Sequence, residues 1–518
     1  MKLARVILRL TMCTGLAFFM IACSDSSDGN RDNDDPLTLR PLKAKADVHL
    51  GGAVVDDQER EVLMRGVNVN SLVEYWQGNE FPTTFPFTES DAKAIAAIGW
   101  NTVRLLVSWS RIEPEPGIYD DAYLDEVEAM VDLLARFGIY SIIDLHQDAW
   151  NASLAAREDE QCNGDSKPGF GWDGAPAWAT LVDPNTARCA FGLREANAAV
   201  IAAWRAFFNN EPGPQGVGIG TRYAQMLGHV AYRFSNKVAV AGYDLMNEPN
   251  ALTDGQVAGL TALYAAAIEE IRAGEHRGNG FNHLVFFEPS ILWLEQGYGA
   301  PLPFTNDENI VYAPHIYTGG FDGGPITPEP FEAARNDAIQ YNGAPVFIGE
   351  WGTNPDRAGP RGDGYFLRHQ RYQDEFHFGA ALWTWRESCG DPHKAGEFRT
   401  GLVPQVWGEF DVDCDTNEVQ GERTHLIEEL TRATLRAAPG RIETMEYAND
   451  SGEFRAQGQQ AIGGQLVVFY PSARFGRPAI QGLQGLTNQT WHDAPGGNDY
   501  LTADSNASAW SLELMPSK

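Results

Sequence analysis

Short apolar, β-branched runs recur along the chain at 62–69, 102–107, 140–144, 238–245, 284–288, 310–314, 346–349 and 380–383. Each has the length of a fully buried strand, and the stretches between them carry apolar residues at helical spacing. In 123–137 those positions are Leu124, Val127, Met130, Val131 and Leu134, one face of an amphipathic helix. A second such stretch is 256–272. Thr88-Glu89-Ser90-Asp91, just ahead of Ile95 and Ile98, reads as a helix start close to a capping box. Eight strand–helix alternations predict an α/β fold, a (β/α)8 TIM barrel. The competing doubly wound open sheet needs a Gly-rich phosphate turn after a strand, and none follows one here.

Two excursions interrupt the alternation. Residues 149–220, after the third run, carry Cys162 and Cys189 among many Gly, Pro and Trp; 389–414, after the eighth, is bounded by Cys389 and Cys414. A helix over 424–438 is expected to close the barrel. Beyond it the pattern changes to short β-like runs at 442–447, 452–457, 465–469, 487–492 and 510–514, punctuated by Gly, Pro and Asn. This predicts a catalytic barrel over 47–438 and a C-terminal all-β sandwich over 439–518 that packs on the barrel as a structural appendage.

At the other end, Lys2, Arg5 and Arg9 precede an apolar run, 10–22, too short to span a bilayer. It ends in Met20-Ile21-Ala22-Cys23, which resembles a bacterial lipoprotein box; ordinary signal cleavage near Ala22 is the alternative. Residues 1–23 are therefore expected to be a lipoprotein signal peptide with Cys23 lipidated, and 24–46 a disordered tether rich in Ser, Asp and Asn. The protein is expected to be exported, as an outer-membrane lipoprotein or a periplasmic or extracellular protein. Of the six cysteines, four lie beyond the leader. In an oxidising compartment they suggest two disulfides. Sequence proximity favours Cys162–Cys189 and Cys389–Cys414 among three connectivities. No Cys-x-x-Cys pair or His-rich cluster points to a metal, and no cofactor is expected.

Asp and Glu outnumber Lys and Arg by 70 to 39, a net charge of −31. Such a surface repels phosphate backbones and anionic membranes, so nucleic-acid partners are excluded and membrane contact is expected only through the anchor. A monomer is expected.

The candidate chemistry sits where the strands end. Strand three runs into His146-Gln147-Asp148, strand four into Asn247-Glu248-Pro249, strand six into His315-Ile316-Tyr317, strand seven into Glu350-Trp351-Gly352 and strand eight into Trp383-Thr384-Trp385. In a barrel these ends converge on one mouth. Two carboxyl groups about 5–5.5 Å apart there could cleave a glycosidic bond with retention, one as acid and then base, the other as nucleophile. Glu248 and Glu350 are the expected pair. Arg104 and Tyr317 are placed to bind the Glu350 carboxylate, and Glu248 should have a raised pKa through burial and the neighbouring charge. Trp383 and Trp385, two apart, are expected to face one side of their strand, and one or the other, Trp383 by preference, to stack on a sugar. Glu288 should lie behind the pair, Asp144 should pair with Arg104, and Glu113 and Glu115 should be solvated.

With Asn101-Thr102-Val103-Arg104, Asn247-Glu248-Pro249 and Ile348-Gly349-Glu350-Trp351-Gly352 in this order, the chain resembles clan A retaining glycosidases, specifically glycoside hydrolase family five. The resemblance implies that Glu248 is the acid/base and Glu350 the nucleophile, with Arg104, His146, Asn247, His315, Tyr317 and a strand-eight tryptophan around the sugar. Asn247 would bond the 2-hydroxyl. Within the family, Leu145-His146-Gln147-Asp148-Ala149-Trp150, Gly174-Ala175-Pro176-Ala177-Trp178 and Trp385-Arg386-Glu387-Ser388-Cys389-Gly390-Asp391 look like the endoglycoceramidase and glycosylceramidase branch. That implies sugar contacts from Asp148 and Trp178, and a glycolipid substrate; a β-glycan is the alternative. Tyr75, Trp76, Phe81, Phe85 and Phe87 could wall a lipid groove or plug the barrel rim. One departure stands out. Where that branch carries a sugar-reading lysine after the strand-one Arg-Gly-Val-Asn, this chain has Asn70-Ser71-Leu72-Val73-Glu74, so the sugar, and a steryl or simple glycosyl aglycone, stay open. A non-catalytic glycan-binding lipoprotein would have no reason to keep both glutamates.

Overall fold

The computed structural model describes residues 35–293, 297–360, 362–395 and 406–516. The expected signal peptide 1–23, the Cys23 lipidation site and the tether as far as residue 34 lie outside the described residues. Eight parallel strands form the barrel: β1 (Arg65–Leu72), β2 (Thr102–Ser108), β3 (Tyr140–His146), β4 (Val240–Asp244), β5 (Leu284–Phe287), β6 (Ile310–Tyr312), β7 (Phe347–Trp351) and β8 (Gly379–Leu382). They pair in order from β1 to β6, β8 lies between β7 and β1, and a parallel bridge from Tyr312 to Val346 closes the circle. All eight predicted runs are strands.

Alternation along each strand explains what fills the barrel. Val103, Leu105 and Val107 of β2 face out and pack with the helical layer, including Leu124, Val127, Val131 and Leu134 of the helix Asp121–Ala135. Asp120 caps that helix by accepting from the Ala122 and Tyr123 amides. Other strand positions face in and change character with height. Near the floor they are apolar: Ile142, Phe286, Val311, Phe347 and Ala381 share one buried cluster. Two residues further along β3, β5 and β6 the positions become Asp144, Glu288 and Ala313, and then His146 and His315. The barrel is oily below and ionic above. Its chemistry is therefore confined to one end.

Two features differ from expectation. The helix predicted over 424–438 stops at Leu430; Thr434–Pro439 is a strand in the sandwich. Its Leu435 packs between the two sheets of the sandwich while Ala437 joins the cluster at the barrel floor, and the β-branched Thr434 opens it, so the helical periodicity did not extend that far. The N-terminal strands Leu42–Lys45, Ala53–Asp56 and Arg60–Glu61 join the same seven-stranded sheet, next to Thr434–Pro439. Part of the expected tether is thus a strand, and the sandwich takes residues from both ends of the chain. Its second sheet has four strands, Arg441–Tyr447, Phe454–Gln459, Ala509–Met515 and Ala479–Gln484, and a cluster around Leu435, Phe454, Val468, Leu501 and Leu512 fills the space between the two. The excursion 149–220 also holds an unpredicted helix, Ala198–Phe208, capped by Asn197 and buried through Trp204 and Phe207.

Candidate active site

Arg104 organises the barrel mouth. Its fully buried guanidinium donates from Nε to Asp244 Oδ2 (2.9 Å), from Nη1 to Asn68 Oδ1 (3.1 Å) and Glu350 Oε1 (3.0 Å), and from Nη2 to Asn247 Oδ1 (3.1 Å) and Glu288 Oε1 (2.9 Å). Asp144 Oδ1 is 3.0 Å from Nη2, the pairing expected for it. Burial opposes the charge, but Asp144, Asp244, Glu288 and Glu350 outweigh it and push the pKa well up. Only a guanidinium could serve so many acceptors at once.

The two glutamates face each other across this centre. Glu350 Oε1 takes the Arg104 bond, and Oε2 accepts from the Tyr317 hydroxyl at 2.8 Å. Glu248 Oε1 is 2.8 Å from His315 Nδ1, and its other oxygen is 3.6 Å from Arg194 Nη2. One carboxylate oxygen of each glutamate and a His315 nitrogen all lie within 4.8 Å of one another. That separation matches a retaining pair, at about 5–5.5 Å, and leaves no room for the water of an inverting pair, at about 6.5–9.5 Å. The expected rise in the Glu248 pKa is not found. Burial does push it up, but the hydrogen bond and charge of His315, with Arg194, outweigh burial and hold it below its ordinary value. His315 shows the complement: burial lowers its pKa, Glu288 and Glu350 raise it more, and the net shift is well upward. The two opposite shifts favour the imidazole over Glu248 as the holder of the proton they share.

The wall beside Glu248 is a chain of charges. His146 Nδ1 is 2.8 Å from Asp144 Oδ2 and its Nε2 is 3.3 Å from Asp148 Oδ2. Asp148 also meets Arg194 Nη2 at 2.6 Å and His393 Nε2 at 3.4 Å. Burial raises the Asp148 pKa, but Arg194, His393 and His146 drive it well below the usual carboxylate range. His393 Nδ1 is 2.8 Å from Asp391 Oδ1, and Asp148 with Asp391 puts the His393 pKa up at about 10 despite burial. Asn70, at the lysine-lacking end of β1, donates to Asp391 at 3.2 Å. Asn247 is fixed by Arg104 and by its own bond to the Gln147 carbonyl, 3.0 Å.

The aromatic expectations divide. Trp383 stacks on His146 with centroids 5.5 Å apart and packs with Tyr75, Tyr317 and Trp407 at the mouth. Trp385 does not join it: its indole N–H donates to Asp91 at the start of the helix Glu89–Ile98, and its ring meets Phe410 edge-on. β8 ends at Leu382, so alternation no longer governs the two tryptophans. Trp178 is likewise held away from the carboxylates. Its N–H donates to the Glu113 carbonyl at 3.0 Å and its ring meets Trp109. The loop tryptophan that reaches the charge chain is Trp172, which lies under Arg194 (4.4 Å) and beside His393 (4.9 Å). Of the rim aromatics, Phe85 lies beneath Arg386, Phe87 packs on the core and Trp76 meets Phe170, so this segment plugs the rim. Glu113 is buried, not solvated, because it accepts from the Trp109 indole and the Gly117 amide.

Arg194 and His393 carried no motif in the sequence. They come from irregular loops, and disulfides Cys162–Cys189 and Cys389–Cys414, both formed as sequence proximity favoured, tie those loops down. Two groups bring three ligand-type atoms within 4.8 Å among the described residues, Glu248–His315–Glu350 and Glu387–Asp391–His393. In each the imidazole Nδ1 already bonds a carboxylate at 2.8 Å, which accounts for the clustering by hydrogen bonding.

The solved structure of an endogalactoceramidase superposes with a TM-score of 0.79 at 34% identity, over 92% of this chain and 100% of that one. Endo-glycoceramidase II from Rhodococcus sp., bound to a cellobiose-like isofagomine, gives 0.68 at 25% identity over 90% and 99%. Endoglycoceramidase I of Rhodococcus hoagii (strain 103S) is 29% identical over 286 residues, 52% of this chain and 52% of its own, so the chain spans about half the length of that relative. The family described as Cellulase (glycosyl hydrolase family 5) matches residues 55–388. With that match covering more than half of its length, the chain belongs to glycosyl hydrolase family 5.

Proposed function

We propose that this protein is a retaining endoglycosidase that releases the glycan from a ceramide-type lipid. The observation that carries the reading is the approach of Glu248 and Glu350 to within 4.8 Å across one mouth. Glu350, held at both oxygens, attacks the anomeric carbon while Glu248 protonates the departing lipid oxygen. The sugar is then esterified to Glu350, whose negative charge is gone. Glu248, now a carboxylate, takes a proton from the water that cleaves the ester, and the anomeric configuration is retained. Asn247 and the Asp148 chain hold the sugar, and Trp383 covers its apolar face. The likeness to an endogalactoceramidase favours galactose next to the lipid. The protein acts as an exported monomer, anchored by an acyl chain on Cys23.

Incubation with oligogalactosyl- and lactosyl-ceramides, steryl glucosides and cellulosic oligomers, with product analysis, tests the substrate. Intact oligosaccharide and free ceramide are expected; turnover of the cellulosic oligomers alone would reject the lipid reading. Full activity in both Glu248→Gln and Glu350→Gln would reject the mechanism. For the anchor, Cys23→Ser should abolish acyl labelling and leave the protein in the soluble fraction.

A further inference from the structure

Glu288 ends β5 behind the catalytic pair and takes no part in the two chemical steps above. Its Oε1 is 2.9 Å from Arg104 Nη2 and 3.0 Å from His315 Nε2, and it is fully buried. The other ring nitrogen of His315 is the one bonded to Glu248 Oε1 at 2.8 Å. One imidazole therefore lies between two carboxylates, hydrogen-bonded to the acid/base on its open side and in ion-pair contact with Glu288 on its closed side. Glu350 Oε2 is also near, 3.5 Å from Nδ1.

We propose that Glu288 is the positioning residue of the acid step: through His315 it stores the proton that Glu248 delivers to the departing oxygen. This rests on the reading of Glu248 as the acid. Before the sugar is seated, His315 carries the proton and Glu248 is a carboxylate. A sugar seated over Glu248 removes its remaining solvent and favours its neutral form. The proton then moves from Nδ1 to Oε1, and from Oε1 to the glycosidic oxygen as the carbon–oxygen bond breaks and Glu350 bonds the carbon. Neutral His315 is left facing Glu288. In the second step Glu248 takes a proton from water and returns it to Nδ1, so the store is refilled and no proton is gained or lost over the cycle.

The electrical surroundings of Glu288 and His315 support this. Around Glu288 stand Arg104 from β2, Asp244 from β4, His315 following β6 and the Tyr264 hydroxyl of the helix Asp254–Arg277, which donates to its backbone carbonyl at 3.0 Å. Around His315 stand Glu248, Glu288 and Glu350. Burial pushes the Glu288 pKa up, against the pull of His315 and Arg104, and the contacts at 2.9 and 3.0 Å keep its charge paired with theirs. Of the groups that raise the His315 pKa, Glu288 has the largest effect.

The test compares two glycosides of the same sugar in Glu288→Gln: an alkyl glycoside, which needs its oxygen protonated, and a dinitrophenyl glycoside, which departs unaided. The expected result is a fall in kcat/KM of about 30- to 100-fold on the alkyl substrate, at or just under the smallest contribution typical of a general acid because Glu248 itself is kept, with less than about 3-fold change on the dinitrophenyl one. The alkaline limb of the alkyl pH profile should move to lower pH, because a neutral amide no longer supports the His315 charge. Glu288→Asp, which keeps that charge, should leave the limb where the wild type has it, and it carries the test if the Gln variant does not fold. Equal losses on both substrates, an unmoved limb in Glu288→Gln, or a shifted limb in Glu288→Asp would overturn the proposal. A wild type that turns over neither glycoside would instead overturn the glycosidase reading on which it rests.

Discussion

Arg104 donates to Glu350 across 3.0 Å from a position that solvent does not reach. The nucleophile is thus oriented by a side chain that cannot move without disturbing Asp244, Asn247 and Glu288 as well. Replacing it by Met should leave four buried carboxylates without their cation. Breaking a buried pair typically costs about 3–5 kcal/mol, and denaturant unfolding should show at least that loss. Arg104→Lys should fold better yet remain poorly active, because an ammonium cannot span the same acceptors.

Stability should fall as pH rises through neutrality. Burial lifts Asp173 to about 7 and Glu387 to about 7, while the unfolded chain gives up these protons at about 4. Between those values the folded state binds more protons than the unfolded one, so each added pH unit weakens it. His393, at about 10, acts in the same direction above its unfolded value. Asp148, held low, acts oppositely and its contribution is lost on acidification. Tm should therefore be highest at about pH 4–5 and decline toward pH 8. Thermal melting across this range checks it, and Asp173→Asn should flatten the decline.

Removing the Cys162–Cys189 disulfide, which closes a loop with a sequence separation of 27, should cost about 3 kcal/mol. The loss should also reach catalysis. The same disulfide secures the hairpin of Lys167–Pro168 with Cys189–Ala190, and Arg194 follows four residues after it. Cys162→Ser/Cys189→Ser should raise KM more than it lowers kcat, measured on a water-soluble glycoside.

The strand-eight tryptophans offer a sharper contrast. Trp383→Ala should raise KM at least about fivefold, since stacking on one sugar contributes about 1–3 kcal/mol by analogy with other stacked rings. Trp385→Phe should leave KM alone and lower stability by about 1 kcal/mol through the lost bond to Asp91. Activity assays paired with melting curves separate the two.

These contrasts show where the sequence was readable. Strand runs and the residues that end them follow from period-two burial and barrel geometry, so Glu248, Glu350, Arg104, His315 and Tyr317 could be placed together from residues far apart in the chain. Trp385 could not be excluded, because its direction depends on where β8 stops rather than on spacing. Arg194 and His393 were invisible for a different reason: a cation in an irregular loop has no periodicity, and only tertiary contact with Asp148 gives it meaning. The Glu248 proton affinity failed in the same way, since the decisive neighbour, His315, is 67 residues distant and acts through a hydrogen bond.

The sheet shared by Leu42–Lys45, Ala53–Asp56 and Thr434–Pro439 has a further consequence. The catalytic unit is buckled shut by its own two tails, like a belt whose tongue and clasp come from opposite ends. Trimming the carboxyl-terminal module would leave the opening strands with bare edges, so the chain has no severable enzyme within it. Any shortened version that works must carry the buckle along.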